Sequence, residues 1–204
     1  MEVAPNIHRI EAPLGNRFVC VFALVGSEAT LIVDTGIKDT PTTYIEPYFK
    51  EHGLDLNKVR YVVISHADID HSGGNGTLKA LAPNALFMCH ELDRAWVENI
   101  ELMVSERYNE WEREGGVPSS AAGDQWNRDN SSDIAMDLTL SGGERIHLGS
   151  GWIVDVLHTA GHTWGHLTIY DPSSKTAVIA DSALYNNVLT ADGQPAFPPT
   201  YRYL

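Results

Sequence analysis

Tyr61–Ser65 (Tyr-Val-Val-Ile-Ser) is a short run with no polar face. A strand of that kind is buried on both sides, which places it in a sheet covered above and below. It ends in His66-Ala67-Asp68-Ile69-Asp70-His71, then Ser72 and the pair Gly73-Gly74. Two imidazoles and two carboxylates at the carboxyl end of a buried strand can be aimed into one cleft, and all four are good ligands for a divalent metal. The competing reading is a polar turn in which an aspartate caps a helix and the histidines are solvated. The glycine pair is expected to let the chain turn tightly into a helix.

The rest of the chain supplies a fold around that strand. Ile7–Ala12, Arg17–Val25 and Ala29–Asp34 read as strands separated by Pro- and Gly-containing turns. Residues 40–51 read as a helix opened by Thr40 with Pro41 in its first turn. A helix is expected to begin within Gly73–Leu81, with a strand at Ala85–Cys89. Residues 90–114 read as helical, with apolar positions at Leu92, Trp96, Ile100, Met103 and Val104. Residues 115–137 are rich in Gly, Ser, Asn and Asp, the composition of a long loop, so a lid or insertion is expected over about 105–137. Strands resume at 137–141, 144–148, 152–158, 167–171 and 176–181. This order predicts an α/β protein in which two mixed sheets pack together with helices outside, as a single domain over 1–204.

Composition narrows the partners. With 14 Lys and Arg against 27 Asp and Glu the net charge is −13, so the chain lacks the basic character that nucleic acid or an anionic membrane surface demands. The expected partner is a small-molecule substrate, with a homodimer as the one protein assembly considered. Cys20 and Cys89 each sit in an apolar run, the setting of a buried reduced thiol. No apolar run approaches a membrane span and the first residues lack a leader pattern, so a cytoplasmic protein is expected.

Two later segments repeat the placement of polar residues at strand ends. Leu157–His166 (Leu-His-Thr-Ala-Gly-His-Thr-Trp-Gly-His) follows an apolar strand, and its glycines argue for a loop rather than a helix with three histidines on one face. His162 is the ligand candidate there, with His158 and His166 as supporting or packed residues. Asp181 follows the apolar run Ala177–Ala180, where a lone aspartate is ordinarily a cap and gains interest only by completing a set.

Together, His66-Ala-Asp68-Ile-Asp70-His71, Ala160-Gly161-His162-Thr163, Asp181 and Asp34 in Leu-Ile-Val-Asp-Thr-Gly resemble the metallo-β-lactamase superfamily, over about residues 7–190. The resemblance implies an αββα sandwich with two divalent metal ions between the sheets, zinc first, with iron or manganese as alternatives. It assigns His66, Asp68 and His162 to one metal, Asp70 and His71 to the other, and Asp181 to a bridge. Asp34 would support the site, while His90, Trp164 and His166 would stand around it or line the pocket. The implied activity is hydrolysis of an ester, lactone, thioester or related bond by a metal-bound hydroxide, with Asp70 catalytic. The alternatives are a diiron redox or oxygen-handling protein and a non-catalytic metal-binding domain.

Two positions depart from the family pattern. Hydrolases of the family carry His where this chain has Asp68, and flavodiiron relatives carry Glu there and bind iron. Asp68, Asp70 and Asp181 against two dications leave about +1 where the common version leaves about +2, which weakens Lewis acidity and favours harder metals. The second departure is the family's last histidine: no His follows His166, so a C-terminally shortened domain is expected.

Overall fold

The computed structural model describes residues 1–110, 112, 119–184 and 186–197. Its larger sheet has seven strands in sequence order: β1 (Glu2–Ala4), β2 (Ile7–Leu14), β3 (Arg17–Val25), β4 (Thr30–Val33), β5 (Val59–Ile64), β6 (Leu86–His90) and β7 (Leu138–Leu140). β1 to β4 pair antiparallel, and β4 to β7 pair parallel. A second, antiparallel sheet has the order β11-β10-β9-β8, from β8 (Arg145–Gly149), β9 (Trp152–His158), β10 (Leu167–Asp171) and β11 (Thr176–Val178). β12 (Val188–Leu189) and β13 (Pro195–Phe197) form a small hairpin.

β5 carries apolar residues at successive positions because both of its faces are covered. Val62 and Ile64 enter one core with Phe49, Leu78, Phe87 and Cys89, where helices lie over the sheet. Val63 enters the other core with Leu31, Val33, Met88, Val156 and Ile169, where the second sheet lies over it. Each such side chain contributes roughly 1.5–3 kcal/mol by leaving water. β3 shows the half-covered alternative. Val19, Val21 and Ala23 are buried, while Phe18, Cys20 and Phe22 face the other way and are more exposed. This is the sheet-on-sheet sandwich with helices outside that the element order predicts.

The helices are α1 (Glu46–Glu51), α2 (Ile69–Ser72), α3 (Asn75–Leu81), α4 (Arg94–Val97), α5 (Ile100–Leu102) and α6 (Ala121–Asp129). Three details differ from the sequence reading. The helix over 40–51 begins with a wider π turn at Pro41–Ile45, and the Thr40 hydroxyl accepts the Ile37 N–H instead of capping that turn. The long helix over 90–114 is broken at Asn99, whose side chain caps α5 by accepting the N–H groups of Glu101 and Leu102 at 3.0 and 3.2 Å. Beyond α5, Met103–Tyr108 is π-helical, and Leu92 is exposed.

Within the expected loop, the nine residues of α6 form a helix because the Ser120 Oγ accepts the Gly123 N–H at 3.0 Å. Residues 111 and 113–118 of the expected lid lie outside the described residues. Gly73 and Gly74 have ordinary helical φ values, so their need is space rather than conformation. A Cβ there would come 2.5 Å from the Asn130 and Thr35 carbonyl oxygens respectively. Among the described residues no helix is long and apolar enough to cross a membrane.

Candidate metal centre

The carboxyl ends of β4, β5 and β6 lie side by side, and each leads into a loop carrying a buried aspartate or histidine. Asp34 follows β4 with φ +67°, the left-handed region that aspartate tolerates better than most side chains. From there its carboxylate accepts the Ser65 N–H at 2.7 Å and the Ser65 hydroxyl at 2.8 Å. It also takes the His71 Nδ1–H at 2.8 Å.

This arrangement sets two tautomers. The Ser65 proton goes to Asp34, so the His66 Nδ1–H, 3.0 Å from Ser65 Oγ, donates to that oxygen. Both His66 and neutral His71 then carry their lone pair on Nε2, the nitrogen that faces the centre of the cluster. Asp34 thus bonds His71 directly and reaches His66 through Ser65.

Around these two nitrogens the structure forms two groups whose ligand atoms lie within 4.8 Å of one another: His66, Asp68 and His162, and His66, His71 and Asp181. His66 is common to both. Asp68 Oδ2 lies 2.8 Å from His162 Nε2 and 3.6 Å from His66 Nε2. Asp181, on a single 3₁₀ turn, reaches His71 Nε2 at 3.6 Å and His162 Nε2 at 3.8 Å, so it stands between the two groups. Asp70 points nearby, 4.0 Å from His71 Nε2, but is in neither group. The sequence-derived residues therefore converge in one place, with Asp181 beside His71 in the second group and Asp70 at its edge.

Electrostatics and unmet hydrogen-bonding capacity fit a bound cation. His66 Nε2 is buried with no hydrogen-bond partner, although burial, reinforced by His71, keeps the ring neutral by lowering its pKa well below 6.5. At His71 burial opposes protonation, yet Asp34, Asp70 and Asp181 raise the pKa well above 6.5. The three carboxylates around the ring thus favour a positive charge at this place. Burial, with help from Asp68 and Asp181, raises the Asp70 pKa. A neutral imidazole with an orphaned Nε2, set among carboxylates, is a donor set suited to divalent zinc, iron or manganese.

Two residues that the sequence reading missed complete the site. Arg107, 1% exposed, makes a bidentate pair with Asp68, Nε to Oδ1 at 2.9 Å and Nη2 to Oδ2 at 3.0 Å. Burial alone would raise the Asp68 pKa, but Arg107, His162 and His66 hold it well below the ordinary value. Asp93, three residues beyond β6 and fully buried, accepts the Ala67 N–H, the Thr163 hydroxyl and the Gly165 N–H at 3.2, 2.6 and 2.7 Å. It joins the loop bearing His66 to the loop bearing His162. Gly165 is required there because a Cβ would sit 2.7 Å from Asp93 Cγ.

Signals for both residues exist in the sequence. Ile100, Met103, Val104 and position 107 share a helical stripe, so Arg107 falls on a face that elsewhere is apolar, and a charge there needs a buried partner. Asp93, like Asp34 and Asp68, follows a parallel strand.

The supporting candidates divide. His166 is fully buried and stacks on His66 with ring centroids 5.0 Å apart, and its pKa is lowered to about 3 by burial and by His71 and His162. His90 lies away from the cluster, stacked on His158 at 4.1 Å, and its Nδ1 accepts the Leu92 N–H. Trp164 is half exposed and does not line the cavity. That cavity, about 460 Å³, opens beside Asp70, His71, His162 and Asp181, with Phe18, Cys20 and Phe22 of β3 on its wall.

A model of the metallo-beta-lactamase superfamily matches residues 14–203. Among solved structures, a metallo-beta-lactamase family protein from Thermus thermophilus superimposes with a TM-score of 0.71 at 22% identity, over 93% of this chain and 65% of that one. The FEZ-1 metallo-beta-lactamase of Legionella gormanii superimposes with a TM-score of 0.63 at 18% identity, over 94% of this chain and 65% of that one. Among curated proteins, the anaerobic nitric oxide reductase flavorubredoxin of Pectobacterium carotovorum is 33% identical over 66 residues, 32% of this chain and 13% of that protein. The chain thus spans just under two thirds of these solved structures and a small part of the flavorubredoxin. With the family matched over nearly its whole length, this chain belongs to the metallo-beta-lactamase superfamily.

Proposed function

We propose that the protein is a metal-dependent hydrolase of a small ester, lactone, thioester or related substrate. The observation that carries this is the pair of His/Asp groups sharing His66, beside a cavity large enough for a small molecule. His66, Asp68 and His162 would hold one divalent ion and Asp70, His71 and Asp181 the other, zinc being the first choice. Ions held there supply Lewis acidity and bring the pKa of bound water towards neutrality.

The protein's own groups do the rest. Asp34 fixes the ring orientations of His66 and His71 through Ser65 and directly. Asp70 stands at the edge of the cluster, 4.0 Å from His71 Nε2, where its carboxylate faces the cavity. The β3 wall of Phe18, Cys20 and Phe22 excludes water from one side, while Arg9 and Arg17 on the same cavity suit a substrate with a polar or weakly anionic group. A cytoplasmic setting, and a monomer or homodimer acting without nucleic acid or membrane, complete the proposal.

A second reading has its own support. A bare carboxylate at position 68 would favour a diiron redox protein, as does the similarity to a stretch of flavorubredoxin. Chromogenic esters, lactones and thioesters offered to protein loaded with zinc, manganese or iron(II) separate the two. Turnover with zinc or manganese is the expected result. A chain that binds metal yet turns over none of them, and whose iron-loaded spectrum responds to oxygen, belongs to the redox class.

A further inference from the structure

Asp68 poses a problem of charge. Placed among His66, His162 and Asp181, a carboxylate adds a negative charge where an imidazole would add none. The structure answers with the largest fully buried side chain among the described residues. Arg107 occupies both oxygens of Asp68 in a forked pair, at 2.9 and 3.0 Å, while Asp68 Oδ2 still faces His162 and His66.

The next residue secures the same loop, because the Tyr108 hydroxyl accepts the Ile69 N–H at 2.9 Å. Both residues come from the Met103–Tyr108 π-helical segment, a winding that recurs at functional sites. A guanidinium fork paired to a carboxylate is rigid and cannot shed its proton, so it fixes both the direction and the charge of its partner.

We propose that Arg107 is a positioning residue of the metal centre, and that the Asp68–Arg107 pair acts as a single neutral donor in place of a histidine. The charge count changes accordingly. Three carboxylates and one guanidinium against two dications leave about +2, the same as the version with a third imidazole at this corner. The aspartate by itself therefore gives no reason for the site to prefer iron over zinc. This inference rests on the metal-binding reading above, but not on hydrolysis.

A double-mutant cycle on the whole chain tests it, with cobalt(II) as the probe. Wild type, Asp68→His, Arg107→Gln and the double variant Asp68→His/Arg107→Gln are titrated with cobalt(II). The ion's visible absorption is followed, and each folded state is checked by circular dichroism. Asp68→His removes the carboxylate that forks with the buried guanidinium beside the cation, and should bind cobalt at least about tenfold more weakly. The double variant should return to within about threefold of wild type with a similar spectrum.

Asp68→His binding as tightly as wild type overturns the proposal. So does a folded double variant that stays tenfold weak, or a double variant that does not fold. Should Asp68→His alone fail to fold, wild type against the double variant decides by the same limits. A wild type that binds no cobalt removes the metal-binding reading and this inference together, whereas one that binds cobalt but hydrolyses nothing removes only the hydrolase.

Discussion

Around Asp68 the protein encloses the carboxylate with its own donors, whereas around Asp181 it leaves the carboxylate partly open to the cavity. The Asp68 side chain is 15% exposed and paired to a guanidinium that is 1% exposed. The Asp181 side chain is 27% exposed and that of Asp70 30%, and their near neighbours in the cluster are histidine nitrogens at 3.6 to 4.0 Å. The contrast follows from desolvation. A carboxylate removed from water must be compensated permanently by the fold, while one at a cavity mouth keeps solvent and exchangeable ligands as partners. The enclosed side suits holding a metal, and the open side suits meeting a substrate.

The sharpest way to break this division is to remove its shared residue. His66→Ala removes the one side chain present in both groups, so whichever group holds the ion loses a donor, and stable metal binding should be abolished. His162→Ala, which strips the enclosed group, and Asp181→Ala, which strips the open one, should each weaken binding by about 10–100-fold. Elemental analysis after dialysis reads the difference. If His66→Ala retains as much metal as either of the other two, His66 is not the common donor that the geometry indicates.

Asp93→Ala tests the enclosed side through stability. It leaves the Ala67 N–H, the Thr163 hydroxyl and the Gly165 N–H without their acceptor in a buried place. A loss of about 3 kcal/mol or more in urea unfolding of the metal-free protein is expected. A loss under about 1 kcal/mol would mean that water reaches these donors and that the side is less enclosed than its burial implies.

Tyr108→Phe is the mildest probe. It removes only the acceptor of the Ile69 N–H and should cost about 1 kcal/mol, with metal affinity little changed. A large fall in metal affinity from this variant would show that the clamp on the Asp68 loop, and not only the Arg107 charge, sets the site.

Much of the fold was legible because it is written in local periodicity. Val62, Val63 and Ile64 announce a strand covered on both faces, whereas the equally apolar run of β3 does not reveal that Phe18, Cys20 and Phe22 stay more exposed than Val19, Val21 and Ala23. The cluster at 66–71 could be placed at a strand end for the same reason. Elsewhere local signals misled. Leu92 fits a helical stripe but lies exposed, because it falls in the turn between β6 and α4, before the helix begins. The Gly- and Ser-rich composition near 120 hid α6, whose start depends on one serine cap. His90 and Trp164 were drawn to the pocket by proximity in sequence, but the β6 end turns His90 towards His158.

Residue order by itself determined a sandwich of strands and helices and a ligand-rich loop after β5, since hydrophobic period and residue type act over a few neighbouring positions. Tertiary structure alone decided which partners meet across the chain: Arg107 with Asp68, separated by 39 positions, and Asp93 with Thr163, separated by 70. Those pairings arise because a buried charge or an unmet hydrogen-bond donor must be satisfied by whatever the packed fold brings within reach, and no local pattern specifies that distance.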